Sequence, residues 1–300
     1  MAKIPVIATV SRAYGFLLGE VGTIVRLAWA PLAVGAAVSY YYGGQVMDGA
    51  IDSAKDPSRA MEYLGLNFIV SAVGFVTLVI AMVALLRIVI FGDRKPGLFI
   101  YLWLGAAELR LILVYALLVV AAIAALVAAG LVFGLLAALS AAFPALSVLL
   151  VIGMFALVIA TIWVSLRLSL VPSVVVAENS LGVERSWELS RGNALRLFGV
   201  LFLTFVPYAI AITLVALALI GGDMPALPPF PSVGEGSAAA AASEAYAKAM
   251  EEWQLGLFKA MRARWLEFSV LGFVANLVST ALFAGSLGSA YTAVAGARSA

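Results

Sequence analysis

The sequence predicts an all-α membrane protein with six transmembrane helices, and three observations predict it. Hydrophobic residues make up 64% of the chain and charged residues only 11%, with a mean hydropathy of +1.11. A soluble globular domain carries about 25% charged residues, and a water-soluble fold of 300 residues could not hide that much apolar surface. Six stretches are long and apolar enough to cross about 30 Å of hydrocarbon. The cations, finally, are segregated into alternate connections between those stretches.

The six spans are expected at 22–43, 64–91, 109–138, 145–171, 195–220 and 268–296. The third is the clearest, running from Leu111 to Leu139 without a charge. Pro31 and Pro207 interrupt the first and fifth, as kinks that a membrane helix tolerates when neighbours re-satisfy the freed carbonyls. With their connections the spans fill 1–300 as a single integral membrane domain and leave no room for a soluble catalytic domain. Ahead of them Arg12 breaks the apolar run and no small-residue cleavage site follows, so the N-terminal segment reads as mature protein rather than a cleaved signal.

Orientation follows from the lysines and arginines, because cytoplasmic loops carry the excess. The N-terminal arm, the 92–108 and 172–194 loops, the helix ends beside them and the C-terminal end hold twelve cations against six acids, a net charge of +6. The alternate connections hold six cations against ten acids, a net charge of −4. An even number of spans places the whole basic set on one side. The expectation is a multi-pass protein of a bacterial inner membrane with both termini in the cytoplasm.

A threefold pattern runs through the spans. Each odd span is entered through a glycine, then an arginine, then leucine: Gly22 to Arg26-Leu27, Gly105 to Arg110-Leu111 and Gly192 to Arg196-Leu197. Each even span ends near an arginine, at Arg87, Arg167 and Arg298. Before each odd span lies a stretch mixing aromatic, apolar and polar residues, VSRAYGFLLGE, PGLFIYLWLGAAE and SLGVERSWELSR, suited to an amphipathic helix in the headgroup layer. The expectation is three hairpins, each preceded by a cytoplasmic interfacial helix and related by pseudo-threefold symmetry. The competing reading is that membrane helices in general start and stop with arginine at their cytoplasmic ends.

The last hairpin carries a periplasmic insertion, 221–266. Its first part, 223–243, is rich in proline, alanine and serine and is expected to be an extended or disordered linker. In the second, 244–266, Tyr246, Met250, Trp253, Leu257, Met261 and Trp265 recur every three or four residues. They mark one face of an amphipathic helix, either capping the bundle or docking a lipid or partner.

The chain has no histidine and no cysteine, which removes the commonest general base, thiolate nucleophiles and the usual zinc ligands. No nucleotide-binding loop, nucleophile elbow or metal-binding helix motif occurs, and no ionisable residue lies mid-span, where one would mark an ion pathway. The polar residues at depth, Tyr115, Thr161, Thr204, Tyr208 and Asn276, are expected to hydrogen-bond between helices. At the cytoplasmic interface, Glu108, Arg110, Glu178, Arg185, Glu188, Arg191 and Arg196 form a charge cluster, with Glu184 beside it, that either locks short helices or grips phosphate headgroups. In the last span Ala281, Gly285, Ser289, Ala293 and Ala297 form a stripe of small residues, and Gly130 and Gly134 make a similar pair in the third. Both allow close helix packing, within the molecule or between copies.

The segment from Arg167 to Leu201 resembles a signature of bacterial membrane proteins that includes the YciC-like proteins and the membrane domain attached to some glycerophosphoryl diester phosphodiesterases. The residues that carry the resemblance are Arg167, Pro172, Glu178, Gly182, Ser186-Trp187, Leu189, Gly192 and Arg196. The Glu108-Leu109-Arg110 entry is similar too. What the resemblance implies is a six-helix membrane domain rather than an activity, since the phosphodiesterase chemistry belongs to a separate soluble domain. The functional expectation is a non-enzymatic membrane protein, without cofactor, metal or nucleic-acid partner. It would interact with membrane phospholipids or scaffold a complex with a membrane protein or further copies of itself. The alternative is a transporter or flippase of a lipid or hydrophobic solute.

Overall fold

The structure is a computed structural model that describes residues 2–55, 60–94, 99–140, 143, 146–230 and 237–296. Among these residues there are ten α-helices and no strand. They are α1 (Val6–Gly19), α2 (Val21–Lys55), α3 (Ala60–Phe91), α4 (Ala106–Ser140), α5 (Leu146–Leu168), α6 (Val171–Glu178), α7 (Val183–Leu189), α8 (Ala194–Ile220), α9 (Ser237–Ala263) and α10 (Trp265–Ala295). Six helical segments, built on α2, α3, α4, α5, α8 and α10, are long and apolar enough to cross a membrane. The chain is thus a multi-pass helical membrane protein.

The helices differ from the expected spans where hydropathy and helix propensity part company. Helix α2 continues well past residue 43 to Lys55, because polarity marks the edge of the hydrocarbon and not the end of a helix. Helices α2 and α8 run through Pro31 and Pro207 without a break. Residues 99–105, expected to belong to the second interfacial helix, are not helical, and α4 starts only at Ala106. Residues 172–178, expected to lie in a loop, form α6, which Pro172 opens from its first turn with φ already suited to a helix. Helix α9 starts at Ser237, inside the stretch expected to be extended. The run of alanines there favours a helix, because alanine is the strongest helix former. Residues 231–236 of that linker, with Ala297 and Arg298, lie outside the described residues.

Contacts divide the chain into two compact units. The first draws on the described residues of 1–29, 79–206 and 279–300. Its core gathers Ile4 ahead of α1, Leu170 at the start of α6, Val174 of α6, Leu189 of α7, Leu197 and Val200 of α8, and Leu287, Ala290, Tyr291 and Val294 of α10. Gly285 lets α10 meet α1 backbone to backbone, since a Cβ at that position would stand 3.0 Å from Ala13 Cα. In the same unit Phe133 of α4 packs over Gly153 of α5. Away from the buried residues at the start of α4 and the end of α5, these two helices are largely apolar and exposed, as at Leu131, Leu135, Phe155 and Ile159. Such helices persist where hydrocarbon is the solvent.

The second unit comprises the described residues of 30–78 and 207–278. Tyr208 Oη donates to the Ala275 carbonyl (2.8 Å), tying α8 to α10. Trp265 Nε1 donates to the Tyr40 carbonyl (2.9 Å), tying α10 to α2. The insertion folds back on itself and is tied to α2. Trp253 Nε1 donates to the Pro225 carbonyl (2.9 Å), and Phe230 stacks on Tyr246 with ring centroids 5.8 Å apart. Arg262 grips both oxygens of Asp48 at 2.9 and 3.2 Å, and Arg264 pairs with Asp223 at 3.0 Å.

Candidate functional site: a polar cluster around Arg167

Arg167 occupies the last turn of α5 and retains 8% of its surface. Its backbone carbonyl accepts from Ser186 Oγ (2.8 Å) and Ser190 Oγ (3.1 Å), both buried, which fixes α7 against the end of α5. That docking brings Trp187 up to the guanidinium. Cζ of Arg167 stands 4.6 Å from the Trp187 ring centroid and 5.2 Å from that of Trp163, one turn earlier on α5. The two indoles meet edge to face, 5.1 Å apart at 89°. Each contact with the negative face of an indole offsets the cost of desolvating the cation by roughly 0.5–2 kcal/mol. Nε of Arg167 is buried and has no acceptor.

The turn between α6 and α7 makes this possible. Asn179 caps α6 in the left-handed conformation (φ 57°), and Gly182 precedes α7 at φ 74° with its Cα closely packed on Val174. A side chain at 182 would be strained by φ and crowded by Val174 at once. Glu178, at the end of α6, accepts from Arg185 Nε (3.2 Å) and Tyr291 Oη (3.0 Å), and Arg185 reaches on to Glu188 (3.2 Å). The Glu178 hydrogen bond is the main reason that the guanidinium of Arg185 holds its proton more tightly than an ordinary arginine. Arg191 is exposed and stands outside these pairs.

The remaining residues of the expected cluster serve helix starts. Glu108 is fully buried in the first turn of α4, where its carboxylate accepts from the Gly105 amide (3.0 Å) and from Tyr101 Oη (3.2 Å). The contact with Gly105 is the returning half of a capping box. It also explains the missing helix before α4, since Tyr101 and Gly105 are both committed to Glu108. Burial, reinforced by the Glu108 charge, pushes the Tyr101 phenol up to about 12. Arg110 reaches Asn179 Oδ1 from α4, Arg196 donates to the Ile4 carbonyl (2.9 Å), and Arg26 donates to the Arg94 carbonyl (2.9 Å). Asn193, ahead of α8, accepts from the Ile4 amide (3.1 Å) and donates to the Ala2 carbonyl (3.0 Å). Glu20, between α1 and α2, binds Arg94 at 2.6 Å and Thr23 at 3.0 Å, and its carboxyl is held below the usual range chiefly by the Arg94 hydrogen bond.

The small residues of the two expected packing sets fare differently. Ala281, Gly285 and Ser289 are buried in the first unit, with Ala293 half-buried. Gly130 and Gly134 of α4 face open space, so no helix of the described chain uses them. Among the polar residues expected to tie helices together, Tyr208 does so, whereas Thr161 Oγ1 bonds back to Leu157 of its own helix (2.8 Å). The second unit contains a cavity of about 400 Å³ between α2, α3 and α10, lined by Gly35, Ser39, Gly74, Thr77, Phe273 and others. Thr77 Oγ1 is within hydrogen-bond reach of the carbonyls of its own helix, which leaves the lining predominantly apolar. Among the described residues no group of acidic side chains converges to hold a metal ion.

Sequence reading singled out Arg167 and Trp187 as signature residues and missed Trp163. The signal was the i, i+4 spacing of Trp163 and Arg167, which places both on one face of a helix.

The fold is that of a multi-pass α-helical membrane protein, and the cluster is a polar, aromatic-lined end of one of its helices. No family model matches the chain, and neither the curated proteins nor the solved structures contain one found to be similar.

Proposed function

We propose that this chain is a non-enzymatic protein of a bacterial inner membrane that interacts with lipid headgroups through its basic, cytoplasmic helix ends, and that it is related to the YciC-like proteins. The observation that carries the reading is the gathering of Arg167, Trp163 and Trp187 at the end of an apolar helix. From Leu146 to Arg167 the helix rises about 31 Å at 1.5 Å per residue, the thickness of a bilayer's hydrocarbon. A cation and two indoles at that height belong to the headgroup layer. The spans pair as three hairpins, and the ties of Arg26, Arg110 and Arg196 to a neighbouring oxygen recur at the start of each odd span. That recurrence favours a threefold organisation, although only α1 and α7 supply the expected interfacial helices. Open space at Gly130 and Gly134 suits contact with a partner or a second copy.

A second reading, transport of a lipid or hydrophobic solute, is favoured by the cavity of about 400 Å³, within the range of small-molecule sites. Reconstitution into liposomes with labelled phospholipid separates the two. The leading reading expects phospholipid to stay bound through purification and no protein-dependent scrambling. Scrambling above empty liposomes would shift the assignment to transport, and failure to retain any phospholipid would overturn the leading reading.

A further inference from the structure

We propose that the guanidinium of Arg167, held against Trp163 and Trp187, is a specific site for a phosphate group. Three observations converge on it. The residue is more than nine-tenths buried, its Nε has no acceptor, and among the described residues no carboxylate pairs with it. The neighbouring carboxylates of Glu178 and Glu188 are engaged by Arg185 instead. A guanidinium is charged throughout the physiological range, and a desolvated charge is costly unless it is paired. The two indoles lower that cost without saturating the donors, because a π face satisfies charge and not N–H groups. The acceptor that complements such donors is an anion with several oxygens, and phosphate matches a planar guanidinium fork.

The indoles also set the geometry. The guanidinium of Arg167 lies against both rings, and the residue's own carbonyl is held by the Ser186 and Ser190 hydroxyls, so the side chain has little freedom to leave its position. A phosphate arriving there binds a fixed donor set rather than ordering a flexible one. The phosphate can come from the headgroup of a phospholipid or from a soluble phosphate. For the lipid source the site rests on the lipid-interacting reading above.

The test titrates the full-length, detergent-purified protein with phosphatidylglycerol, followed by native mass spectrometry, and separately with inorganic phosphate, followed by calorimetry. R167Q is expected to lose one tightly held phosphatidylglycerol, or the phosphate isotherm, with at least about a tenfold fall in affinity. R264Q, which removes a cation outside this cluster that is paired with Asp223, should retain it. Phosphatidylglycerol binding without a phosphate isotherm assigns the site to a lipid headgroup, and an Arg167-dependent phosphate isotherm assigns it to a soluble phosphate. If R167Q fails to fold, R167K decides, since it keeps the charge and loses the fork. A weakened affinity in R167K upholds the site and an unchanged one overturns it. Equal lipid retention by folded R167Q and wild type, with no phosphate isotherm in either, removes this site while leaving the lipid-interacting reading standing.

Discussion

Glu108 shows how a single side chain sets the boundary of a membrane helix. Its carboxylate is fully buried yet has two donors, the Gly105 amide and the Tyr101 hydroxyl, so it closes α4 and holds the preceding segment out of a helix. Removing it leaves both donors without an acceptor, and a buried donor left unsatisfied costs about 1–3 kcal/mol. E108A should therefore lower the stability of the detergent-solubilised protein by about that amount, measured by tryptophan fluorescence on heating. E108Q keeps an acceptor oxygen and should lose less. Glu20 gives a pH-dependent counterpart. Its carboxyl lies below the ordinary value of 4.5, first because of Arg94 and then Thr23. A depressed acid contributes stability that is present above its unfolded value and lost as pH falls through the folded one. Arg94 is exposed, so the effect is modest. Melting temperature should fall on acidification below pH 4.5, and E20Q should show a shallower acid limb than the wild type.

At the scale of elements, the two small-residue motifs make opposite predictions although they look alike in sequence. Gly285 lies against the backbone of α1, where Ala13 Cα and carbonyl oxygen stand 3.0 and 3.3 Å from the position of a Cβ. Gly130 and Gly134 meet nothing. G285L should force α1 from α10 and cost about 3 kcal/mol, read from thermal unfolding. G130L and G134L should change the stability of the isolated chain by less than about 0.5 kcal/mol. A shift of their elution from size-exclusion chromatography would show that the pair serves contact between copies. The long apolar helices were legible because hydropathy reports directly on the solvent they need. The extension of α2 and the early start of α9 were not, since both depend on helix propensity beyond the hydrocarbon. The cradle of Arg167 was half legible. Arg167 and Trp187 stood out in the signature, but they lie on different helices, and only the fold-back of α7, fixed by Ser186 and Ser190, brings them together.

For the whole molecule, the central claim is that six spans cross a membrane with the signature segment on the cytoplasmic side and the insertion on the other. The segregation of charge, +6 against −4 in alternate connections, is the ground for that orientation. In that orientation residues 167–201 would face the cytoplasmic leaflet, where anionic lipids attract basic helix ends. The chain has no cysteine, so any thiol introduced is the only one to label. The most direct measurement is labelling of E184C, in α7, and S243C, in α9, with a membrane-impermeant maleimide on intact spheroplasts. Labelling of S243C at once, and of E184C only after permeabilisation, is the result this topology predicts; the reverse order, or labelling of both in intact spheroplasts, would contradict it.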